Sequence, residues 1–286
     1  MTAVGLDVGG SSVRAGAGGP IARAGVGRET GLEELLAIAG RLLDEVDPGR
    51  AARVAIALPT FVDDGVLLDC PAIPALTGVR LGDLVVRELG RPQPLLVPDL
   101  AAAAIGEARL GSGRGVERFL CVAIGTGANA AATRDGRVVD AAFGCLGDAG
   151  HVLVDPDGPE CACGGRGCLE SVTSGWALAR DARRIGLSSA AELSAAAEDG
   201  DAAAAAILDH AGVCLGRAIA TWSVLTWPTL VAVAAGVARA GDRLLEPARR
   251  ELLRVAPPYV SRDIRIVPAE LGDLATLEGA RSLAGD

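Results

Sequence analysis

A cysteine cluster near the middle of the chain limits its possible folds more than any other feature. Cys161, Cys163 and Cys168 fall within eight residues, and His151 precedes the first of them by ten positions. Three thiolates and one imidazole are a complete tetrahedral ligand set for structural zinc. Glycines at 164, 165 and 167 allow the loop to turn so that the sulfurs converge. The sequence therefore predicts a zinc-binding loop.

The alternative is a set of buried or disulfide-bonded cysteines. Disulfides are rare in cytosolic proteins, and the N-terminus has no basic stretch followed by an apolar run. Residues 218–238 carry no charge over 21 positions, which is long enough for a membrane span. Pro228 within this segment instead predicts a break between a buried helix and a buried strand. We therefore expect a cytoplasmic protein without a membrane partner.

Apolar runs alternate with segments of helical spacing along the whole chain. The runs predict strands over 3–8, 13–16, 53–58, 65–69, 94–97, 118–124, 129–134, 228–234 and 263–267. The spacing predicts helices over 31–46, 79–89, 100–110, 171–185, 188–199, 201–225, 241–255 and 273–283. This alternation indicates the α/β class. The net charge is −9 without a clustered basic face, so nucleic acid is not an expected partner.

Two predicted strands lead into glycine-rich turns. The first strand contains Asp7 and precedes Gly9-Gly10-Ser11-Ser12, and the run 118–124 precedes Gly125-Thr126-Gly127. Backbone N–H groups in such turns can approach an anion where no side chain intervenes. Each turn alone is equally typical of a hairpin without a ligand. Their repetition suggests a duplicated α/β fold with a phosphate-binding turn in each half.

Asp99 lies where a predicted strand ends and an alanine-rich helix starts. One interpretation is a helix N-cap, which contributes about 1 kcal/mol. The other is a catalytic base at the carboxyl edge of the sheet, where ligand sites of α/β proteins lie. The spacing alone leaves both interpretations open.

These motifs, in this order, resemble the ROK family of sugar kinases and sugar-responsive repressors. The similarity is carried by Leu-Asp-Val-Gly-Gly-Ser-Ser at 6–12, by Asp99, by Gly-Thr-Gly at 125–127, by Asp-Ala-Gly-His at 148–151 and by Cys-Ala-Cys-Gly-Gly-Arg-Gly-Cys-Leu-Glu at 161–170. It covers nearly the whole chain, and the zinc loop is its most specific part. The resemblance implies the actin/hexokinase/Hsp70-like ATPase fold, an α/β fold of two domains with an interdomain cleft. The expected domains are 1–110 with 269–286, and 111–268 with the zinc loop.

The resemblance also implies roles for individual residues. Asp99 would accept the proton of the sugar hydroxyl that attacks the γ-phosphate. ATP and Mg²⁺ would be bound at Asp7, Gly9, Gly10, Ser11, Ser12, Gly125, Thr126, Gly127 and Gly236. The sugar would be bound near Thr60, Pro98, Asp148, His151 and Glu170. His151, Cys161, Cys163 and Cys168 would hold structural zinc, which fixes the loop that carries His151 and Glu170.

Several positions depart from the family pattern. The family commonly has Asn-Asp-Ala-Asn at the catalytic aspartate, where this chain has Pro98-Asp99-Leu100-Ala101. Pro98 has no amide to donate, and Asp148 replaces a longer Glu. The usual Pro-Gly is Pro59-Thr60, and the Gly-Gly-Gly near the adenosine is Ala234-Ala235-Gly236. Because unpaired polar groups in a sugar site are costly, these changes disfavour ordinary glucose.

The function expected from the resemblance is ATP-dependent phosphorylation of a hydroxyl of a hexose, an amino sugar or a cyclitol. Polyphosphate remains open as the donor. The alternative is a non-catalytic sugar-binding or regulatory member of the family. Repressors of the family carry a DNA-binding segment before the first strand, whereas here the first strand is predicted from residue 3, so a DNA-binding repressor is not expected. A homodimer is expected by resemblance only.

Overall fold

The computed structural model of the protein describes residues 3–234 and 241–286. The strands are β1 Ala3–Val8, β2 Ser12–Gly16, β3 Ala22–Gly25, β4 Arg53–Leu58, β5 Val62–Asp63, β6 Val66–Leu67, β7 Leu95–Pro98, β8 Arg118–Ile124, β9 Ala128–Arg134, β10 Arg137–Val138, β11 Leu230–Ala234 and β12 Arg265–Pro268. The helices are α1 Leu32–Val46, α2 Leu81–Leu89, α3 Asp99–Leu110, α4 Leu169–Thr173, α5 Gly175–Arg184, α6 Ala190–Glu198, α7 Ala202–Thr226, α8 Asp242–Val255, α9 Pro258–Ser261 and α10 Ala275–Ala284. The predicted α/β alternation is confirmed.

The chain divides into two compact units. Unit 1 comprises Met1–Arg114, Gly136–Gly147 and Asp273–Asp286, and unit 2 comprises Gly115–Asp135 and Asp148–Gly272. The expected domain limits placed residues 136–147 with the second domain, whereas here they pack in unit 1. Arg109 Nε donates to the Gly136 carbonyl at 2.9 Å, and the rings of Phe61 and Phe143 lie 6.1 Å apart.

The main sheet of unit 1 has the strand order β3-β2-β1-β4-β7. Strands β1, β2 and β3 form an antiparallel meander, and β4 and β7 run parallel to β1. The core on one side of this sheet contains leucines of α1, and α10 packs against β1 and β4 on the other. In unit 2, the strands β9-β8-β11-β12 repeat the arrangement of β2-β1-β4-β7. In both, an antiparallel hairpin is followed by two parallel strands.

The alanine-rich sequence of α3 is explained by its packing against α10. Side chains added at Gly106 or Gly279 would overlap with backbone oxygens of the facing helix, those of Ala275 and Ala102. The two backbones are therefore in direct contact, which only small residues permit. This packing fixes the orientation of α3, which begins at Asp99.

Helix α7 is long and apolar enough to cross a membrane by length and composition, but half of its most apolar window is buried within the protein. It packs along α8, where a side chain at Gly212 or Gly216 would collide with the carbonyls of Leu244 and Ala248. These contacts are those of a core helix of unit 2. The helix ends at Thr226 and β11 begins at Leu230, so the break predicted at Pro228 is confirmed.

Two local predictions were wrong. The helix expected over 171–185 is interrupted, because Ser174 has extended backbone angles and its hydroxyl caps α5 by accepting from the Ala177 amide at 3.3 Å. The strand expected over 65–69 is only the two-residue β6, which pairs with β5. Strand β3 was missed, since its sequence Ala-Arg-Ala-Gly has little β propensity.

Candidate active site and metal centre

The first glycine turn connects β1 and β2 in unit 1. The Gly9 amide donates to the Ser12 carbonyl at 2.9 Å, which closes the turn. Gly10 and Ser11 at its tip are exposed, so their backbone is accessible to an anion. The structure thus forms the predicted turn, which on its own is also a plain hairpin turn.

Asp7 is the penultimate residue of β1. It is buried, and its cross-strand neighbour Arg14 donates from Nε to Oδ2 at 3.0 Å and from a second nitrogen to the same oxygen. Desolvation raises the pKa of Asp7, although the Arg14 charge and hydrogen bond act in the opposite direction. Asp7 thus has one oxygen held by Arg14, and a carboxylate of this kind together with phosphate oxygens is a usual environment for Mg²⁺.

Asp99 is the first residue of α3 and lies at the end of β7. Pro98 occupies the N-cap position, and the Asp99 Oδ1 atom accepts the amide of Leu100, at 2.7 Å. An N-cap side chain would instead accept from an amide two or three residues ahead, so the N-cap interpretation of Asp99 is wrong. Oδ2 accepts no hydrogen bond from any residue in 3–234 or 241–286.

The environment of Asp99 raises the pKa of its carboxyl group. The residue is partly accessible to solvent, but its carboxyl group is surrounded by protein atoms. The pKa of Asp99 is raised to about 6, chiefly by desolvation; the hydrogen bond from Leu100 lowers it and the negative charge of Asp7 adds a smaller increase, and the value includes all three effects. A carboxylate with one unpaired oxygen and a pKa near neutrality has the properties of a general base.

Pro98 and Thr60 lie near the same edge of the unit 1 sheet. Pro98 ends the edge strand β7 opposite Leu58 of β4, and the end of an edge strand is a position where proline is tolerated. The Thr60 hydroxyl donates to the Asp69 carbonyl at 2.9 Å and is buried. This hydrogen bond fixes the Thr60 side chain, and its contact with a sugar stays a prediction.

The second glycine turn connects β8 and β9 in unit 2. The Gly125 amide donates to the Gly127 carbonyl at 2.8 Å, and the Gly175 amide at the start of α5 donates to the Gly125 carbonyl at 2.7 Å. Glu170 Oε2 accepts the Ala128 amide at 3.1 Å. A side chain at Gly127 would come within 2.7 Å of that oxygen. Helices α4 and α5, which follow the cysteine loop, therefore hold this turn in place.

Asn129 is a site residue that sequence reasoning did not assign. Its Oδ1 accepts the Ala149 amide at 2.9 Å, which ties β9 to the 3₁₀ turn Ala149–His151. At Gly150 any side chain would overlap with the Ala128 carbonyl, so the turn and the strand are in backbone contact. The signal was present, because Asn129 is a polar residue within an apolar, alanine-rich strand.

The predicted zinc ligands converge in unit 2. The donor atoms of His151, Cys161, Cys163 and Cys168 all lie within 4.8 Å of one another. His151 Nδ1 is 3.5 Å from Cys161 Sγ, and the Cys163 and Cys168 sulfurs are 3.7 Å apart. A tetrahedral zinc site with bonds of about 2.0 to 2.3 Å places its ligand atoms about 3.6 to 3.8 Å apart. The residues therefore fit zinc, and the cysteines are free thiols, as the zinc interpretation requires.

The two ring nitrogens of His151 face different groups. Nδ1 faces the cysteine sulfurs, whereas Nε2 lies 3.5 Å from Asp148 Oδ2. A histidine that binds a metal through one nitrogen usually donates from the other to a carboxylate or another acceptor. Nε2 and the half-exposed Asp148 carboxylate are thus available to polar ligands. The predicted nucleotide contact at Gly236 lies outside the described residues.

The sequence matches a known protein family over almost its whole length. The model of the ROK family matches residues 3–286. The chain belongs to the ROK family. A glucokinase of Thermotoga maritima is 30% identical over 274 residues, which are 89% of this chain and 86% of the relative. The Escherichia coli DNA-binding transcriptional repressor Mlc is 26% identical over 88% of this chain and 68% of its own length.

A solved structure gives the fold of this ROK protein. The Streptomyces griseus ROK glucokinase in complex with glucose and AMPPNP superposes with a TM-score of 0.82 at 27% identity, covering 100% of this chain and 99% of that one. The actin/hexokinase-like fold expected from the motifs is thereby confirmed.

Proposed function

We propose that this ROK protein transfers the γ-phosphoryl group of ATP to a hydroxyl of a sugar or sugar-like polyol. The observation that carries the proposal is Asp99, a recessed carboxylate whose Oδ2 accepts no hydrogen bond from the described part of the chain and whose pKa is raised to about 6. Such a group accepts a hydroxyl proton at neutral pH as the oxygen attacks phosphorus. The family relationship to glucokinases supports the same reaction.

The phosphoryl donor would be bound by backbone and carboxylate groups. The turns Gly9–Ser12 and Gly125–Gly127 offer amide groups to phosphate oxygens, and Asp7 would hold Mg²⁺. That ion neutralises charge that develops on the phosphates, which is the main requirement of phosphoryl transfer. The AMPPNP complex of the Streptomyces griseus enzyme supports ATP as the donor.

The acceptor would be recognised by groups of the zinc-bound loop. His151 Nε2 and Glu170 Oε1 are oriented by neighbours that engage their other atoms, namely the cysteine cluster and the Ala128 amide. When bound, zinc would stiffen the loop that presents them. Pro98 offers no donor and Asp148 is shorter than the Glu that is usual at this position. We therefore propose an acceptor other than glucose, either an unusual hexose, an amino sugar or a cyclitol.

The test is ADP release in the presence of Mg²⁺–ATP with a panel of hexoses, amino sugars and cyclitols. We expect turnover on at least one acceptor, and a higher kcat/KM for it than for glucose, since the altered residues Pro98 and Asp148 no longer match the hydroxyl groups of glucose. Polyphosphate replaces ATP in a parallel series. The absence of turnover on every acceptor with either donor would contradict the proposal.

A second candidate is a non-catalytic sugar sensor. Two observations favour it: Pro98 offers no amide donor beside Asp99, and the repressor Mlc is similar over most of this chain. Calorimetry separates the two functions. A sensor binds a sugar without binding Mg²⁺–ATP, whereas a kinase binds both.

We expect the acceptor kcat/KM to depend on pH through Asp99. Because its pKa is raised to about 6 and the base must be unprotonated, kcat/KM should be constant above pH 7 and fall tenfold per pH unit well below 6. The measurement is kcat/KM from pH 4.5 to 8.5, with stability checked at each pH. An acid limb centred near pH 4, the ordinary value for Asp, would contradict the desolvated base.

We also propose that the protein is cytoplasmic and acts as a homodimer without nucleic acid. Support for a dimer comes from an exposed apolar group at the end of α7, formed by Leu225, Trp227 and Tyr259. The net charge of −9 supports the absence of a nucleic-acid partner.

A further inference from the structure

A second cluster of metal-binding side chains lies in unit 2, apart from the four zinc ligands. His210 and Cys214 are four residues apart on α7 and therefore lie on the same face of the helix. Asp155 lies on the chain between His151 and the cysteine loop. One oxygen, one nitrogen and one sulfur of these residues lie within 4.8 Å of one another.

The distances match the edges of a tetrahedral metal site. His210 Nε2 is 3.2 Å from Asp155 Oδ2 and 3.8 Å from Cys214 Sγ. Zinc bonds of about 2.0 to 2.3 Å give tetrahedral edges of about 3.3 Å between nitrogen and oxygen and about 3.6 Å between nitrogen and sulfur. A neutral imidazole can donate from Nε2 to only one of its two neighbours, whereas a metal ion would engage all three donor atoms.

The backbone around the cluster is held firmly before any ion binds. Arg217, one turn beyond Cys214, donates to the Val154 carbonyl at 2.8 Å, and Glu251 fixes Arg217 at 2.9 Å. The Asp155 amide donates to the Gly167 carbonyl at 3.1 Å. Asp155 is therefore positioned against α7 by contacts that do not use its carboxylate, as a preorganised ligand requires.

The ligand types and their exposure define the class of ion. A thiolate, an imidazole and a carboxylate together favour Zn²⁺, Co²⁺ or Ni²⁺ over Mg²⁺ or Ca²⁺, which prefer oxygen. Cys214 is buried, the Asp155 side chain is 19% exposed and the His210 side chain is 53% exposed. An ion can therefore enter from the His210 side, and a fourth position there stays open to solvent.

We infer that Asp155, His210 and Cys214 form a second, solvent-accessible site for a borderline divalent transition-metal ion such as Zn²⁺. Binding releases the Cys214 thiol proton to solvent, and the resulting thiolate is the ligand. The bound ion joins the chain between His151 and Cys161 to helix α7. The inference concerns metal binding alone and stands whether or not the proposed kinase reaction is correct.

The test uses the full-length protein dialysed against Zn²⁺ and analysed for metal content. We expect two equivalents for the wild type and one for His210→Asn and Asp155→Asn. The matched control is Asp209→Asn, since Asp209 is the neighbouring residue on α7 and pairs with Arg250 instead. A competing chromophoric chelator should show that loss of one ligand weakens the second site by more than the roughly 10- to 100-fold typical of an outer-shell change.

Two further readouts separate a metal site from a simple His–Asp ion pair. Starting from protein that already holds one equivalent of zinc, further Zn²⁺ should raise the Tm of the wild type and of Asp209→Asn, but not that of His210→Asn. Co²⁺ should give a thiolate charge-transfer absorption that decreases in Cys214→Ala. If that variant does not fold, the exposed His210→Asn change carries the test by itself. One equivalent of zinc in the wild type, or a second equivalent retained in His210→Asn with unchanged affinity, would overturn the inference.

Discussion

Asp99→Asn should lower kcat by about 10³-fold while leaving the KM for ATP within about twofold. The amide preserves the shape of the side chain and the contact with the Leu100 amide, but it cannot accept the proton of the attacking hydroxyl. Loss of a general base typically costs 10²- to 10⁴-fold. The acid limb of the pH profile should also vanish, since the group that titrates near 6 is absent. The measurement is steady-state ADP release with the acceptor found in the panel.

The matched control is Asp83→Asn. Like Asp99, Asp83 lies in the first turn of a helix, but it is exposed at the start of α2. It should lose no more than about 0.5 kcal/mol of stability, as is usual for surface substitutions, and no activity. A kcat for Asp99→Asn within threefold of the wild type would rule out Asp99 as the base, whatever the acceptor.

Cys168→Ser should abolish zinc binding at the proposed four-ligand site and weaken the binding of both substrates. Cys168 directly precedes α4, whose Glu170 holds the Ala128 amide beside the second glycine turn. We therefore expect the KM of the acceptor and the KM of ATP to rise, with kcat/KM at least 100-fold lower. The free energy of unfolding should fall by about 3 kcal/mol or more, less than the roughly 10–16 kcal/mol of isolated zinc peptides. Kinetics, metal content and thermal unfolding measure these effects.

The control is Cys121→Ala, which removes a buried thiol from β8 of the same unit. It should retain zinc and both KM values, with a stability loss of about 1 kcal/mol. Cys168→Ser with an unchanged KM for ATP would show that the loop does not support the Gly125–Gly127 turn. In that case the zinc loop would serve the acceptor alone.

Much of the fold could be predicted because local patterns and tertiary packing agree. The strands β1, β4 and β8 are continuous apolar runs, and α1 has an apolar face at helical spacing. The break at Ser174 was not predicted, because a single serine within a helical pattern becomes a cap only when neighbouring contacts set its backbone angles. The place of residues 136–147 in unit 1 depends on contacts with Arg109 and Phe61, which are distant in sequence.

By itself, the sequence determined which reactive and ligand-binding residue types this ROK protein contains and how they are spaced. Residue types at short spacing predict chemistry: three cysteines with a histidine predict zinc, and two glycine turns after apolar strands predict phosphate. Only the tertiary structure decided how those groups are used. It gave Asp99 a raised pKa and excluded its role as a cap, bound Glu170 to the second turn, directed Nδ1 of His151 to the cysteines and brought Asp155 to His210 and Cys214. The reason is physical, since desolvation and ligand geometry arise from residues far apart in the chain.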